Sequence, residues 1–176
     1  MAHTYNIVIL GNPKSGKSAL LKRNCTGEFT HGYEPTREMT LYVYNVNVYS
    51  AHTNLHTSIC LNLYEHPNNQ HYYNADAMIM CVSATQNSNR RLNDLVEHIV
   101  DFSEVHETIP IVLVSTKTDV VGAHPITNQE LSHAHIAVAK HILVSACTCY
   151  RMFDPFIAVI RLLMNDDTLF VCEKPA

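Results

Sequence analysis

Residues 11–18 read GNPKSGKS, so Gly11, Asn12, Pro13, Lys14, Ser15, Gly16, Lys17 and Ser18 fill the pattern G-x-x-x-x-G-K-S in register. The apolar run Tyr5-Asn6-Ile7-Val8-Ile9-Leu10 leads into it, and Ala19-Leu20-Leu21-Lys22 follows. A strand, a loop and a helix are expected in that order. In this arrangement, backbone N–H groups and a helix N-terminus converge on phosphate oxygens. Lys17 would place a point charge on the outer phosphates, and Ser18 would offer a hydroxyl to Mg²⁺. The loop alone leaves the base open, because ATPases and GTPases both use it.

Outward from the loop, strand-like and helix-like segments alternate. Strands are expected at Tyr5–Leu10, Leu41–Val48, Ser58–Leu63, Ala77–Ser83, Ile109–Ser115 and His141–Ser145. Several are nearly continuous apolar runs, as parallel strands covered on both faces should be. Leu92, Leu95, Ile99 and Phe102 recur at helical spacing. Thr127 followed by Glu130 forms a capping-box signature, and a further helix is expected from about Met152 to Leu163, with Asp154-Pro155 in its first turn. The polar stretch Ser50-Ala51-His52-Thr53-Asn54 between two β-rich runs reads as a hairpin loop. The expectation is an α/β fold with a six-stranded, mainly parallel sheet, one antiparallel edge hairpin and helices on both faces.

Composition narrows the class. The 176 residues are 47% hydrophobic and 16% charged, enough to bury the core of one domain covering the whole chain. A net charge of -4 with 12 Lys+Arg gives no field that would attract nucleic acid. The six cysteines form no C-x-x-C pair and read as buried free thiols of a cytoplasmic protein. The 12 histidines are scattered, and no apolar run is long enough to span a bilayer.

The base is addressed by Thr116-Lys117-Thr118-Asp119, at the end of the most apolar strand. The Asp119 carboxylate could accept the ring N–H and the exocyclic amine of guanine together, whereas adenine offers no such donor pair. Taken alone, the tetrapeptide equally fits a solvated turn.

The chain resembles the Ras-like small GTPases over about residues 5–165, with a Rab-like flavour in Tyr72-Tyr73-Asn74-Ala75-Asp76-Ala77. The phosphate loop, Phe29, Tyr33-Glu34-Pro35-Thr36, the hairpin, Thr116–Asp119 and Ser145-Ala146-Cys147 follow in family order. The resemblance implies a P-loop NTPase fold, bound GTP or GDP with Mg²⁺, and a monomeric switch that meets an effector or regulatory protein through switch I. By the same resemblance, Gly11 to Ala19 face the phosphates, Phe29 packs on the guanine and Tyr33 closes over the phosphates. Thr36, similar to the switch I threonine of the family, completes Mg²⁺ coordination while a γ-phosphate is present. Ser145 and Ala146 would contact the base through their backbone, and Cys147 stands where a lysine is often found. Lys17, Thr36 and Asn69 carry the catalytic expectation, and Ser18, Thr36 and Glu65 the metal.

The second switch departs from the family's Asp-x-x-Gly-Gln, reading Glu65-His66-Pro67-Asn68-Asn69. Glu65 stands where an aspartate normally holds a water on Mg²⁺, and its extra methylene is expected to weaken the metal, which tolerates poor octahedral geometry badly. Asn68 replaces a glycine, and Pro67 stiffens the same stretch. Asn69 replaces the water-positioning glutamine with a shorter side chain, and Gln70 is its neighbour. The interval from Glu65 to Tyr72 is about half that of the family, so a shortened or missing switch II helix is expected. Pro13 crowds the γ-phosphate, while Lys14 either neutralises phosphate or, the favoured reading, points to solvent. Together these changes predict slow GTP hydrolysis, with a non-hydrolysing protein-binding module as the alternative and a P-loop kinase or ATPase disfavoured. Cys172 is fifth from the end and forms no prenylation box, and Ala2 excludes N-myristoylation. The expectation is an unlipidated chain, or one lacking its lipidated tail.

Overall fold

The computed structural model describes residues 2–66, 74–105 and 108–172. β1 (Ala2–Leu10) runs into the 11–16 loop and α1 (Lys17–Cys25). An irregular segment then reaches the hairpin of β2 (Thr40–Ser50) and β3 (Leu55–Glu65). β4 (Ala77–Ser83), α2 (Ser88–Val105), β5 (Ile111–Thr116), α3 (Asn128–His133), β6 (Lys140–Leu143) and α4 (Asp154–Met164) follow, and β7 (Leu169–Cys172) closes the order.

The sheet order is β6-β5-β4-β1-β3-β2-β7. β1 pairs in parallel with both β3 and β4, and β4, β5 and β6 continue the parallel half. Alternation along β1 divides the core. Ile7 and Ile9 pack with Leu20 and Leu21 of α1 and with Phe156 and Val159 of α4. Val8 and Leu10 face the other way, toward Leu95 of α2 and Leu131 of α3. Helices therefore cover both faces, and all seven residues of β4 are buried, which is why its sequence is apolar up to the final Ser83.

The hairpin is antiparallel, pairing Thr40 with Glu65 and Ser50 with Leu55 across a four-residue loop in which Asn54 is left-handed at φ 57°. The structure corrects the expected strand count and the hairpin's position. β7 pairs antiparallel with Asn47–Ser50 of β2, making seven strands and placing β7, rather than the hairpin, at that end of the sheet. Polar contacts dock it there. Arg161 donates to the Leu169 carbonyl at 2.8 and 2.6 Å, and Asp166 accepts from the Ser50 hydroxyl at 2.5 Å. All six cysteines are free, but only Cys81 is buried. Cys147 and Cys149 lie in the exposed turn after β6, where the chain covers no core.

The local signals act as their chemistry requires. Thr127 accepts from the Glu130 N–H at 3.2 Å, while Glu130 accepts from the Thr127 N–H at 2.8 Å, which closes the capping box at the start of α3. Pro155 sits in the first turn of α4, where its missing donor costs nothing. Asp76 enters β4 by accepting from the Asn6 N–H at 2.7 Å. Among the described residues, no helix is long and apolar enough to cross a membrane.

One titratable group in this framework gives a pH prediction. His141 of β6 lies 2.9 Å from the Ser115 hydroxyl, and burial lowers its pKa below the ordinary 6.5. On acidification the unfolded imidazole takes up its proton first, so this residue's stabilising contribution is present above about pH 6.5 and is lost below it. Thermal melts at pH 7.5 and 5.5 should show a larger drop in Tm for the native chain than for His141→Gln. Equal drops would assign the acid sensitivity elsewhere.

Candidate functional site

The loops that follow β1, β5 and β6 emerge at the carboxyl ends of parallel strands, the edge where open α/β sheets form ligand crevices. Glu65 ends β3 at the same edge, and residues 28–36 arch over the opening. Together they line one cavity of about 670 Å³.

Close backbone approach builds the phosphate end. Gly11 has φ 136°, and a Cβ there would stand 2.2 Å from the Cys81 carbonyl oxygen, so no side chain fits. Gly16 has φ 94° and a Cβ there would press on the Thr116 side chain, which leaves α1 to begin at Lys17 with its N–H groups toward the cavity. Lys17 is only 7% exposed, and its ammonium donates to the carbonyls of Gly11 at 2.5 Å and Asn12 at 3.2 Å. Burial lowers its pKa, with the Glu65 carboxylate among the charges that oppose the shift. A buried, rigidly held cation beside a helix N-terminus has the chemistry to receive an anion.

Beside it three oxygens meet. The Ser18 hydroxyl donates to Glu65 Oε1 at 2.6 Å, the Thr36 hydroxyl donates to the same oxygen at 3.2 Å, and the two hydroxyls lie 3.1 Å apart. This donor set fits Mg²⁺, a hard cation that takes oxygen ligands and needs substrate phosphates to complete its shell. Among the described residues, no group of three His, Cys, Asp or Glu side chains is placed to hold a metal.

At the far end, Asp119 is exposed on the cavity wall with Ala146 and Cys147, and Phe29 lines the opposite side, edge-on to His31 at 5.0 Å. The 116–119 loop is braced from two directions. Lys117, left-handed at φ 59°, donates to the Lys14 carbonyl at 2.6 Å, and the Thr116 hydroxyl donates to the Ser15 carbonyl at 2.5 Å. The Thr118 hydroxyl donates to the Val144 carbonyl at 3.0 Å. Burial, then the like charge of Lys14, lowers the Lys117 pKa. Lys14 is itself left-handed at φ 67°, and its ammonium sits 5.3 Å from the centre of the Tyr33 ring. A cation over an aromatic face holds that ring at the phosphate rim.

Three expected residues contribute differently. Asn12 turns its side chain away from the cavity to α2, where its amide donates to Asp94 and its carbonyl oxygen lies 2.7 Å from His98 Nε2. Gly11 contributes its carbonyl to Lys17 rather than cavity wall. Ser145 is 1% exposed and exchanges backbone hydrogen bonds with Tyr150 at 3.0 Å, so its N–H is already engaged and Ala146 lines the cavity in its place. Asp94, His98 and Gln86, which donates to Asp94 at 3.0 Å, were not read from the sequence. Asp94 and His98 share a helix face by their spacing, but nothing in the chain says what that face meets. Pro67, Asn68, Asn69, Gln70 and Tyr72-Tyr73, with the switch II helix expected there, lie outside the described residues.

A glycine-built phosphate loop, a buried lysine and an oxygen trio beneath an arching segment define a nucleoside-phosphate-binding protein of the P-loop type. The sequence model of the Ras family matches residues 6–165, and the chain belongs to that family. Membership carries with it the general reading of a GTP-binding switch.

Proposed function

We propose that the protein is a guanine-nucleotide switch that binds GTP and GDP with Mg²⁺ and hydrolyses GTP slowly. The observation that carries this reading is the convergence of Lys17, the Ser18–Thr36–Glu65 oxygens and Asp119 on one cavity of about 670 Å³. Lys17 binds the outer phosphates, Asp119 reads the guanine edge, and Tyr33 with Lys14 excludes water from the phosphate rim. When bound, Mg²⁺ supplies charge neutralisation on the phosphate oxygens, with Ser18, Thr36 and Glu65 holding it. Slow turnover is supported by Pro13, which lines the cavity, and by the short side chain of Asn69 in the sequence.

An effector or regulatory protein fits the switch I side. Met39, Leu41 and Val43 alternate outward there, 55%, 48% and 51% exposed, with Tyr33 at 51%. The same patch favours, as a second reading, a non-hydrolysing protein that serves as a binding module.

Equilibrium titration of the nucleotide-free chain with GTP, GDP and ATP in Mg²⁺ tests the proposal. GTP and GDP should bind more tightly than ATP by about a hundredfold or more, given two charge-assisted hydrogen bonds to the base. Equal affinity for GTP and ATP would sink it. Single-turnover hydrolysis then separates the two readings, with measurable phosphate release supporting the slow GTPase and none supporting the binding module.

A further inference from the structure

Glu65 lengthens by one methylene the carboxylate that the family places near its metal, and the backbone cannot absorb the difference. The residue ends β3 with its Cα paired to Thr40 of β2 on one side and Ile9 of β1 on the other, and it is 1% exposed. The extra reach must therefore appear at the carboxylate. There, Oε1 accepts hydrogen bonds from Ser18 Oγ at 2.6 Å and Thr36 Oγ1 at 3.2 Å, and those two oxygens are 3.1 Å apart.

These hydrogen-bonded separations are also compatible with the edges of a coordination polyhedron. Mg²⁺ holds oxygens at 2.0–2.1 Å in an octahedron, so neighbouring ligands stand about 2.9 Å apart. All three separations lie within about 0.3 Å of that edge. Ca²⁺, with oxygens at 2.3–2.6 Å, would need edges of about 3.3 Å or more and a wider set of ligands.

Resting on the nucleotide-switch reading above, we propose that Glu65 is a direct ligand of the metal. Its Oε1 ligates beside Ser18 in either nucleotide state, completes a triangular face with Thr36 when a γ-phosphate is present, and displaces the water through which a shorter aspartate would act. This reverses the expectation drawn from the sequence, in which the longer side chain weakens the metal. A carboxylate in place of a neutral water binds a divalent cation more tightly. It also makes retention of the metal depend less on which nucleotide is present, and it selects small cations over Ca²⁺.

Mn²⁺ is the probe, because its electron paramagnetic resonance line broadens with each ¹⁷O-water in its first shell. The full chain carrying GDP and Mn²⁺ should show one water fewer than Glu65→Asp under the same conditions. Glu65→Gln should weaken Mn²⁺ by tenfold or more in the presence of saturating GDP. A measurement on the native sequence needs no variant to fold. With glutamate ¹³C-labelled at the side-chain carboxyl, direct ligation gives a strong ¹³C hyperfine coupling to Mn²⁺, which an intervening water would abolish. Equal water counts together with no ¹³C coupling, in a chain that binds GDP and Mn²⁺, overturn this assignment alone. Failure of the native chain to bind GDP with Mn²⁺ overturns the switch reading and the assignment with it.

Discussion

Lys17→Ala should lower the affinity for both GTP and GDP by a hundredfold or more, the larger of the two strongest effects expected from single substitutions. The ammonium is nearly buried at the mouth of α1 and is held by the Gly11 and Asn12 carbonyls, so it is preorganised toward the phosphates rather than recruited by them. Truncating one partner of a buried charged contact costs about 2–5 kcal/mol, which is roughly 30- to 4,000-fold in affinity. The fold should suffer much less. Burial lowers this lysine's pKa, a sign that the charged form is disfavoured by desolvation, and deleting it removes that cost while freeing two carbonyls. Titration with a fluorescent GDP analogue, beside a thermal melt, checks both halves. Unchanged affinity in a folded variant would remove Lys17 from the phosphate site.

Asp119→Ala should cut GTP affinity by about a hundredfold or more while leaving ATP affinity where it was. Two charge-assisted hydrogen bonds at roughly 1.5–3 kcal/mol each set the size of the loss, and adenine never had the donor pair to lose. The phosphate end lies on different loops, and Asp119 is exposed, so neither the cradle nor the core depends on it. Competition of GTP and ATP for the same fluorescent analogue measures the ratio directly. A parallel loss for both nucleotides would mean that the substitution disturbs the cavity as a whole, and the base-reading role would fall.

How much of this was legible in the sequence depended on whether a residue's partner is local. Lys17 bonds the Gly11 and Asn12 carbonyls within its own loop, and the loop's pattern announces it, whereas the same pattern marks Gly11 and Gly16 without showing that Cys81 and Thr116 are what press on them. β4 is buried on both faces and reads as an apolar run up to the final Ser83, and Thr127 with Glu130 closes its capping box within four residues. β7 was not legible. Leu169–Cys172 is too short to show a period, and its place is fixed by Arg161 and by a partner strand more than a hundred residues away. Where the Asn12 side chain goes was hidden for the same reason. Its position in the loop suggested phosphate, while Asp94 and His98 claim its side chain across the fold. Ser145 had its N–H taken by Tyr150 through a turn that no sequence motif marks. Ser18, Thr36 and Glu65 do meet in the fold, but how far the Glu65 carboxylate reaches was not legible, because the constraint from β1 and β2 on its Cα is a property of the sheet.

The bonds from Lys117 to the Lys14 carbonyl and from Thr116 to the Ser15 carbonyl fasten the 116–119 loop, proposed to face the base, onto the 11–16 loop, proposed to face the phosphates. The spacing between the two half-sites is therefore fixed before any ligand arrives. A nucleoside diphosphate that seats one end presents the other at an effective concentration set by its own short covalent span, in the millimolar range or above. Nucleoside and pyrophosphate offered as separate pieces forgo that advantage. The stitch contributes chiefly to the linkage between the two ends, so a chain without it would hold each fragment nearly as before and lose grip on the intact molecule.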